Sequence, residues 1–166
     1  MITLVLGGAR SGKSGVAESL AAELPPPVTY LATAVVGDDD MAARVAVHQA
    51  RRPPDWVTLE AGPQLELADR LATVDGSVIV DSLGTWVAGW PAFDADVETL
   101  CRVLRGRSGD SVIVSDEVGL GIHPVTASGR RFRDALGQVN QAVATIADDV
   151  LLVVAGRALR LDQINR

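Results

Sequence analysis

The sequence predicts an α/β doubly wound domain, a mostly parallel sheet with helices on both faces, and three observations carry that prediction. Short apolar runs of strand length alternate with helix-compatible stretches along most of the chain. Hydrophobic residues make up 48% of the 166 and aromatic residues only 4%, so the core is built from Val, Leu, Ile and Ala, which suits parallel strands buried on both faces. A glycine-rich loop, Gly7-Gly8-Ala9-Arg10-Ser11-Gly12-Lys13-Ser14, stands between the first apolar run and the first helical one.

The first strand is expected at Ile2 to Leu6 and the first helix at Gly15 to Glu23. The loop between them fits G-x-x-x-x-G-K-[ST], which makes the fold that of a P-loop NTPase. Its glycines let the backbone curl until successive N–H groups face phosphate oxygens, and the helix that follows adds its positive N-terminal end. In that geometry Lys13 neutralises the β and γ phosphates and Ser14 ligates magnesium through its hydroxyl. Pro25-Pro26-Pro27 stops the helix and feeds the second strand, Val28 to Ala32. The remaining strands are expected at Trp56 to Glu60, Val78 to Asp81, Val112 to Asp116 and Val150 to Val154. No repeat, linker or low-complexity segment divides the chain, so residues 1–166 are expected to form a single nucleotide-binding catalytic domain.

Composition excludes several other classes. A net charge of -6 counts against a protein that coats nucleic acid. No apolar stretch approaches the roughly 20 residues of a membrane span, and no basic leader precedes the first strand. The expectation is a cytoplasmic protein with neither nucleic acid nor membrane as partner. The single cysteine, Cys101, falls in a helical pattern and reads as a packed core thiol; no Cys/His cluster has the spacing of a zinc site.

In open parallel sheets the ligand crevice lies beyond the carboxyl ends of the strands, so the segments after each strand hold the candidate site residues. After the second strand an alanine-rich helical pattern, acidic at its start, carries Arg44, His48, Arg51 and Arg52 on one face and ends at Pro53-Pro54. Two readings fit: a solvated basic face with an incidental histidine, or an imidazole kept neutral, hence nucleophilic, by cations that also draw in polyphosphate. His123, before Pro124, reads as a loop residue. Asp81 closes the fourth strand, where the magnesium-ordering carboxylate of a phosphate-loop protein commonly sits. Asp116 and Glu117 close the fifth and compete for that role, with Glu117 read as a substrate or supporting contact. The plainer role for any of these acids is a helix N-cap.

These residues resemble the bifunctional adenosylcobinamide kinase and adenosylcobinamide-phosphate guanylyltransferase family of vitamin B12 assembly. The resemblance runs through Gly7 to Ser14, Tyr30-Leu31-Ala32-Thr33-Ala34 and Asp39 to Pro53, the last in the pattern R-[IV]-x-x-H-x-x-x-R-P. It continues through Val80-Asp81-Ser82-Leu83, Glu117 to Ile122 with Pro124, and Arg130 to Asp134 with Gly137 and Asn140-Gln141. It implies phosphorylation of adenosylcobinamide by a nucleoside triphosphate, ATP or GTP, then transfer of GMP from GTP to the resulting phosphate with release of pyrophosphate. By the same resemblance His48 carries the GMP as a covalent intermediate, and Ala32, Thr33, Ala34, Arg51, Arg52, Pro53, Glu60 and Asp81 join the phosphate loop in binding nucleotide. The phosphate-loop reading expects magnesium on Ser14 and Asp81, with Arg44 and Glu117 contacting or supporting substrate, and the resemblance implies a homotrimer. Ser82, Gly84, Asp116 and His123 depart from the family's usual residues without removing one that has a chemical role.

Two other classes fit parts of the pattern. A plain small-molecule kinase would use the phosphate loop without His48, and a non-catalytic nucleotide-sensing module would bind nucleotide only to hold a partner.

Overall fold

The computed structural model describes residues 1–33, 52–61 and 66–163. Among them seven strands form one sheet: β1 (Ile2–Gly7), β2 (Val28–Ala32), β3 (Val57–Glu60), β4 (Ser77–Asp81), β5 (Ser111–Asp116), β6 (Asp149–Val154) and β7 (Arg157–Arg160). Their order is β3-β2-β4-β5-β1-β6-β7, parallel throughout except for β7, which returns antiparallel beside β6. The six strands read from sequence all form, each within a residue of its expected bounds. Strand β7 was not expected. It follows the two-residue turn Ala155-Gly156, whose φ angles of 51° and 74° reverse the chain in the sense that suits a hairpin.

The helices are α1 (Lys13–Ala21), α2 (Glu66–Thr73), α3 (Leu83–Ala88), α4 (Val97–Gly106) and α5 (Ala127–Ile146). Alternation along each strand divides the core in two. Val5, Tyr30, Ile79 and Val114 face α1, whose small Ala17 and Ala21 let it sit close to the sheet. Leu4, Leu6, Leu31, Val80 and Ile113 face the other way, against Leu71, Trp86, Leu104 and Leu136 of the remaining helices. Cys101 is buried in this second layer, where burial pushes its thiol pKa up, as befits a packed core residue. The same alternation directs Asp81, two residues past Ile79, and Asp116, two past Val114, to the α1 side. No helix among the described residues is long and apolar enough to cross a membrane.

At the opposite rim, where the strands begin, Arg107 closes the structure. Its guanidinium donates to the carbonyls of Leu71, Val74 (2.8 Å) and Gly76 (2.7 Å), which satisfies groups at the end of α2 and on the approach to β4. Methionine at 107 would keep the stem and strand those carbonyls. Arg107→Met is expected to lower the unfolding free energy by about 2–4 kcal/mol, read as a shift in the urea midpoint, with kcat and KM unchanged.

Candidate functional site at the carboxyl ends of the strands

The phosphate loop begins where β1 ends. Gly7 admits no side chain, because a β-carbon there would run into Ser11 Oγ and approach the Val153 carbonyl oxygen to 2.9 Å. Two positive φ angles, 56° at Arg10 and 91° at Gly12, turn the chain over on itself. Arg10 is a non-glycine residue in left-handed backbone, a conformation sustained by its surroundings. Ser11 N–H donates to Gly8 O at 3.2 Å, and Lys13 N–H donates to Ser11 Oγ at 3.3 Å. Support also comes from the far end of the chain. Gly156 N–H donates to Ser11 O at 2.7 Å, and Gly156 Cα lies 3.1 Å from the place a β-carbon on Gly12 would take. Helix α1 starts at Lys13, earlier than expected, because Gly12 in its left-handed conformation already delivers the chain to the first turn.

Lys13 and Ser14 therefore stand on the first turn of α1, directly after the loop. Lys13 Nζ lies 2.7 Å from Asp116 Oδ1 and 3.3 Å from Gly8 O, so its charge is paired within the protein. The ion pair joins the start of α1 to the end of β5, and the register that sets Gly7 opposite Asp116 brings the two within reach.

Asp81 ends β4, one strand beyond β5, and its Oδ2 accepts a 2.7 Å hydrogen bond from the Tyr30 hydroxyl. Tyr30 is buried, and burial first, then the adjacent Asp81 carboxylate, hold its phenol above its ordinary pKa. Tyr30 therefore serves Asp81 as a fixed donor. Above its ring, 3.4 Å from the centroid, sits the Arg52 guanidinium, which also donates to Thr58 Oγ1 at 3.1 Å. Arg52 Nε is buried without a partner among the described residues.

The neighbouring strand ends are locked together. Thr33 N–H donates to Asp81 O at 3.0 Å, Thr33 Oγ1 donates to Ser82 O at 2.6 Å, and Ser82 N–H donates to Thr33 Oγ1 at 2.8 Å. Ser82 also caps α3 through a reciprocal bond pattern with Thr85. The register sets Ala32 opposite both Glu60 and Asp81. Pro53 accepts from Trp56 N–H at 3.2 Å in the turn before β3. Glu117 N–H donates to Gly7 O at 3.0 Å, and Glu117 Oε1 accepts from Gly119 N–H at 2.6 Å, which ties that acid into its own turn. His123 lies in the loop and contacts Arg133 through Nδ1 at 2.9 Å.

The structure thus collects Gly7 to Ser14, Ala32, Thr33, Glu60, Asp81 and Glu117 along the carboxyl-terminal rim, with Arg52 over the Tyr30 ring and Pro53 in the turn that precedes β3. Ala34, Arg44, His48 and Arg51 lie outside the described residues. Sequence reasoning missed Tyr30 as the partner of Asp81, Gly156 as a brace of the loop, and Asn140, whose Nδ2 donates to Asp116 O at 3.0 Å. A tyrosine two residues before a strand's end and a lone glycine between two short apolar runs were the available signals.

What the rim can do chemically is hold a polyphosphate. Curled backbone, a lysine, a helix N-terminus and two carboxylates on adjacent strands make a site for a nucleotide with a hard cation. The donor chemistry fits magnesium, since a serine hydroxyl and a carboxylate are oxygen ligands and Tyr30 engages only one oxygen of Asp81.

Comparison with known proteins agrees. The family model described as cobinamide kinase / cobinamide phosphate guanyltransferase matches residues 3–161. The bifunctional adenosylcobalamin biosynthesis protein CobP of Pseudomonas aeruginosa is 40% identical, with 97% of each chain covered. The CobU proteins of Salmonella typhimurium and Escherichia coli, of the same description, are 36% and 34% identical over 97% of this chain and 99% of theirs. Among solved structures, an ATPase of a bacterial type III secretion system superposes with a TM-score of 0.60 at 13% identity, covering 91% of this chain and 50% of that one, a likeness of fold.

Proposed function

The chain belongs to the cobinamide kinase / cobinamide phosphate guanyltransferase family, and on that premise we propose that its one phosphate loop serves both reactions in turn. The protein is a bifunctional enzyme of cobalamin biosynthesis, a kinase and a guanylyltransferase. The observation that carries the reading is Lys13, half-buried at the mouth of a preformed phosphate loop with carboxylates on the next two strand ends.

In the first reaction the aminopropanol hydroxyl of adenosylcobinamide attacks the γ-phosphorus of ATP or GTP, and the nucleoside diphosphate leaves. Loop N–H groups and Lys13 stabilise the charge that moves onto the β–γ bridging oxygen. In the second, an imidazole nitrogen of His48 attacks the α-phosphorus of GTP, and pyrophosphate leaves along the same loop. The phosphate oxygen of adenosylcobinamide phosphate then attacks that phosphorus and frees the histidine. Ser14 and Asp81 would hold magnesium, which when bound draws charge from the phosphate oxygens. Asp81 suits this better than Asp116, whose Oδ1 is engaged by Lys13. Ala32, Thr33, Ala34, Arg51, Arg52, Pro53 and Glu60 bind the nucleotide. Arg52 Nε, without a partner among the described residues, supports an acceptor there. Arg44 and Glu117 act on or near the substrate. A cytoplasmic homotrimer completes the reading, by resemblance to the family.

The test uses GTP labelled at the α-phosphate, given with magnesium and no acceptor. Label should remain on the denatured protein, survive base, be lost in acid, and pass to a corrinoid product when adenosylcobinamide phosphate is added first. Phosphorylation of cobinamide without such label would leave the kinase alone. Bound nucleotide with neither reaction would leave a sensing module.

A further inference from the structure

We propose that Asp116 determines the form in which nucleotide is admitted: its carboxylate selects the magnesium complex over free polyphosphate. The inference rests on the reading of the loop as the triphosphate site. The Lys13 ammonium, with its side chain only 12% exposed, is held at 2.7 Å by a carboxylate whose own side chain is 30% exposed. A triphosphate entering the loop needs that ammonium, so it must either share it with Asp116 or displace it.

The carboxylate is walled in toward α3. Its Oδ2 fills the space that a β-carbon on Gly84 would need, and Ser82 Oγ stands 3.5 Å away. The backbone beneath is fixed from both sides. The next residue's N–H donates to Gly7 O at 3.0 Å, and Asn140 Nδ2 donates to Asp116 O at 3.0 Å. Asn140 is itself buried and accepts from Ser115 Oγ at 2.6 Å. A negative charge therefore stays at the loop while the ligand enters. Free triphosphate meets it with its full charge, whereas the magnesium complex has about two of those charges neutralised, so the repulsion falls chiefly on the metal-free form.

Equilibrium binding of GTP to the purified protein, measured once with chelator and once with magnesium, tests this. Asp116→Asn should tighten metal-free binding about tenfold while moving the magnesium form less than about threefold. Asp116→Ser, smaller and equally neutral, should move the same way, and in a Lys13→Ala background the effect of Asp116→Asn on metal-free binding should grow, because the carboxylate then meets the phosphates with no ammonium beside it. Metal-free affinity unchanged or weakened in both variants, with melting temperatures like the parent's, would overturn the proposal. So would equal tightening of both forms, which is charge removal without selection. A parent protein that bound GTP in neither form would bring down the reading of the loop itself, a separate and recognisable failure.

Discussion

Alanine in place of His48 is expected to leave a protein that phosphorylates cobinamide and no longer transfers GMP. On the proposed roles the two reactions share the loop and differ in their nucleophile. The substrate's own hydroxyl attacks in the first, whereas the second requires a protein nitrogen at the α-phosphorus. Removing a covalent nucleophile leaves only direct attack by the acceptor phosphate, an anion approaching an anion, and the expected loss in guanylyl transfer is about 10³-fold or more. Kinase turnover should stay within about threefold of the parent, since the loop and Lys13 are untouched. The two rates are measured side by side, with γ-labelled ATP for one and α-labelled GTP for the other. Equal loss in both would mean that His48 shapes the nucleotide site and is not a nucleophile.

Lys13→Ala is expected to do the opposite and remove both activities together. On the proposed roles the ammonium faces the phosphates in each reaction, and deleting one such preorganised donor lowers kcat by about 10²–10³-fold. A second effect follows from the ion pair. Asp116 would keep a half-buried carboxylate, 30% exposed, with no cation on it, in a loop meant for phosphate. Nucleotide affinity should fall as well, and more steeply than a lost attraction alone would give. Steady-state assays of both reactions and a binding isotherm check this; loss of only one activity would mean that the two reactions use different phosphate sites.

Much of the fold is written locally. Six strands stand out as apolar runs because Gly, Pro or Asp punctuates their ends, and the residues at those ends are the ones the sheet brings to one rim. Strand β7 escaped because Arg157-Ala158-Leu159-Arg160 is an exposed edge segment with too little apolar content to stand out from a loop. Gly156 was its only announcement. The site divides in the same way. The phosphate loop is a contiguous motif and reads directly, and Asp81 follows from its place after a strand. Its bond to Tyr30 does not, since it exists only because β2 and β4 pair with Tyr30 opposite Ile79. The Lys13 to Asp116 ion pair likewise needs the β1 to β5 register, which no pattern within either strand encodes. Arg107 stands in a polar connection with no local signal of its role, and its three carbonyl partners come from a different part of the chain.

Strand β1 has a further consequence for how the protein is made. It carries the phosphate loop, yet its partners are β5 and β6, both from the second half of the chain, and the loop's brace, Gly156, comes later still. During synthesis from the amino end the loop leaves the ribosome well before the strands that become its neighbours. Its apolar strand must wait through most of translation, a long-range closure of the kind that slows folding and leaves hydrophobic surface open to chaperones. Nucleotide cannot organise the chain early, because the cradle that would grip it is finished only when the last strands arrive.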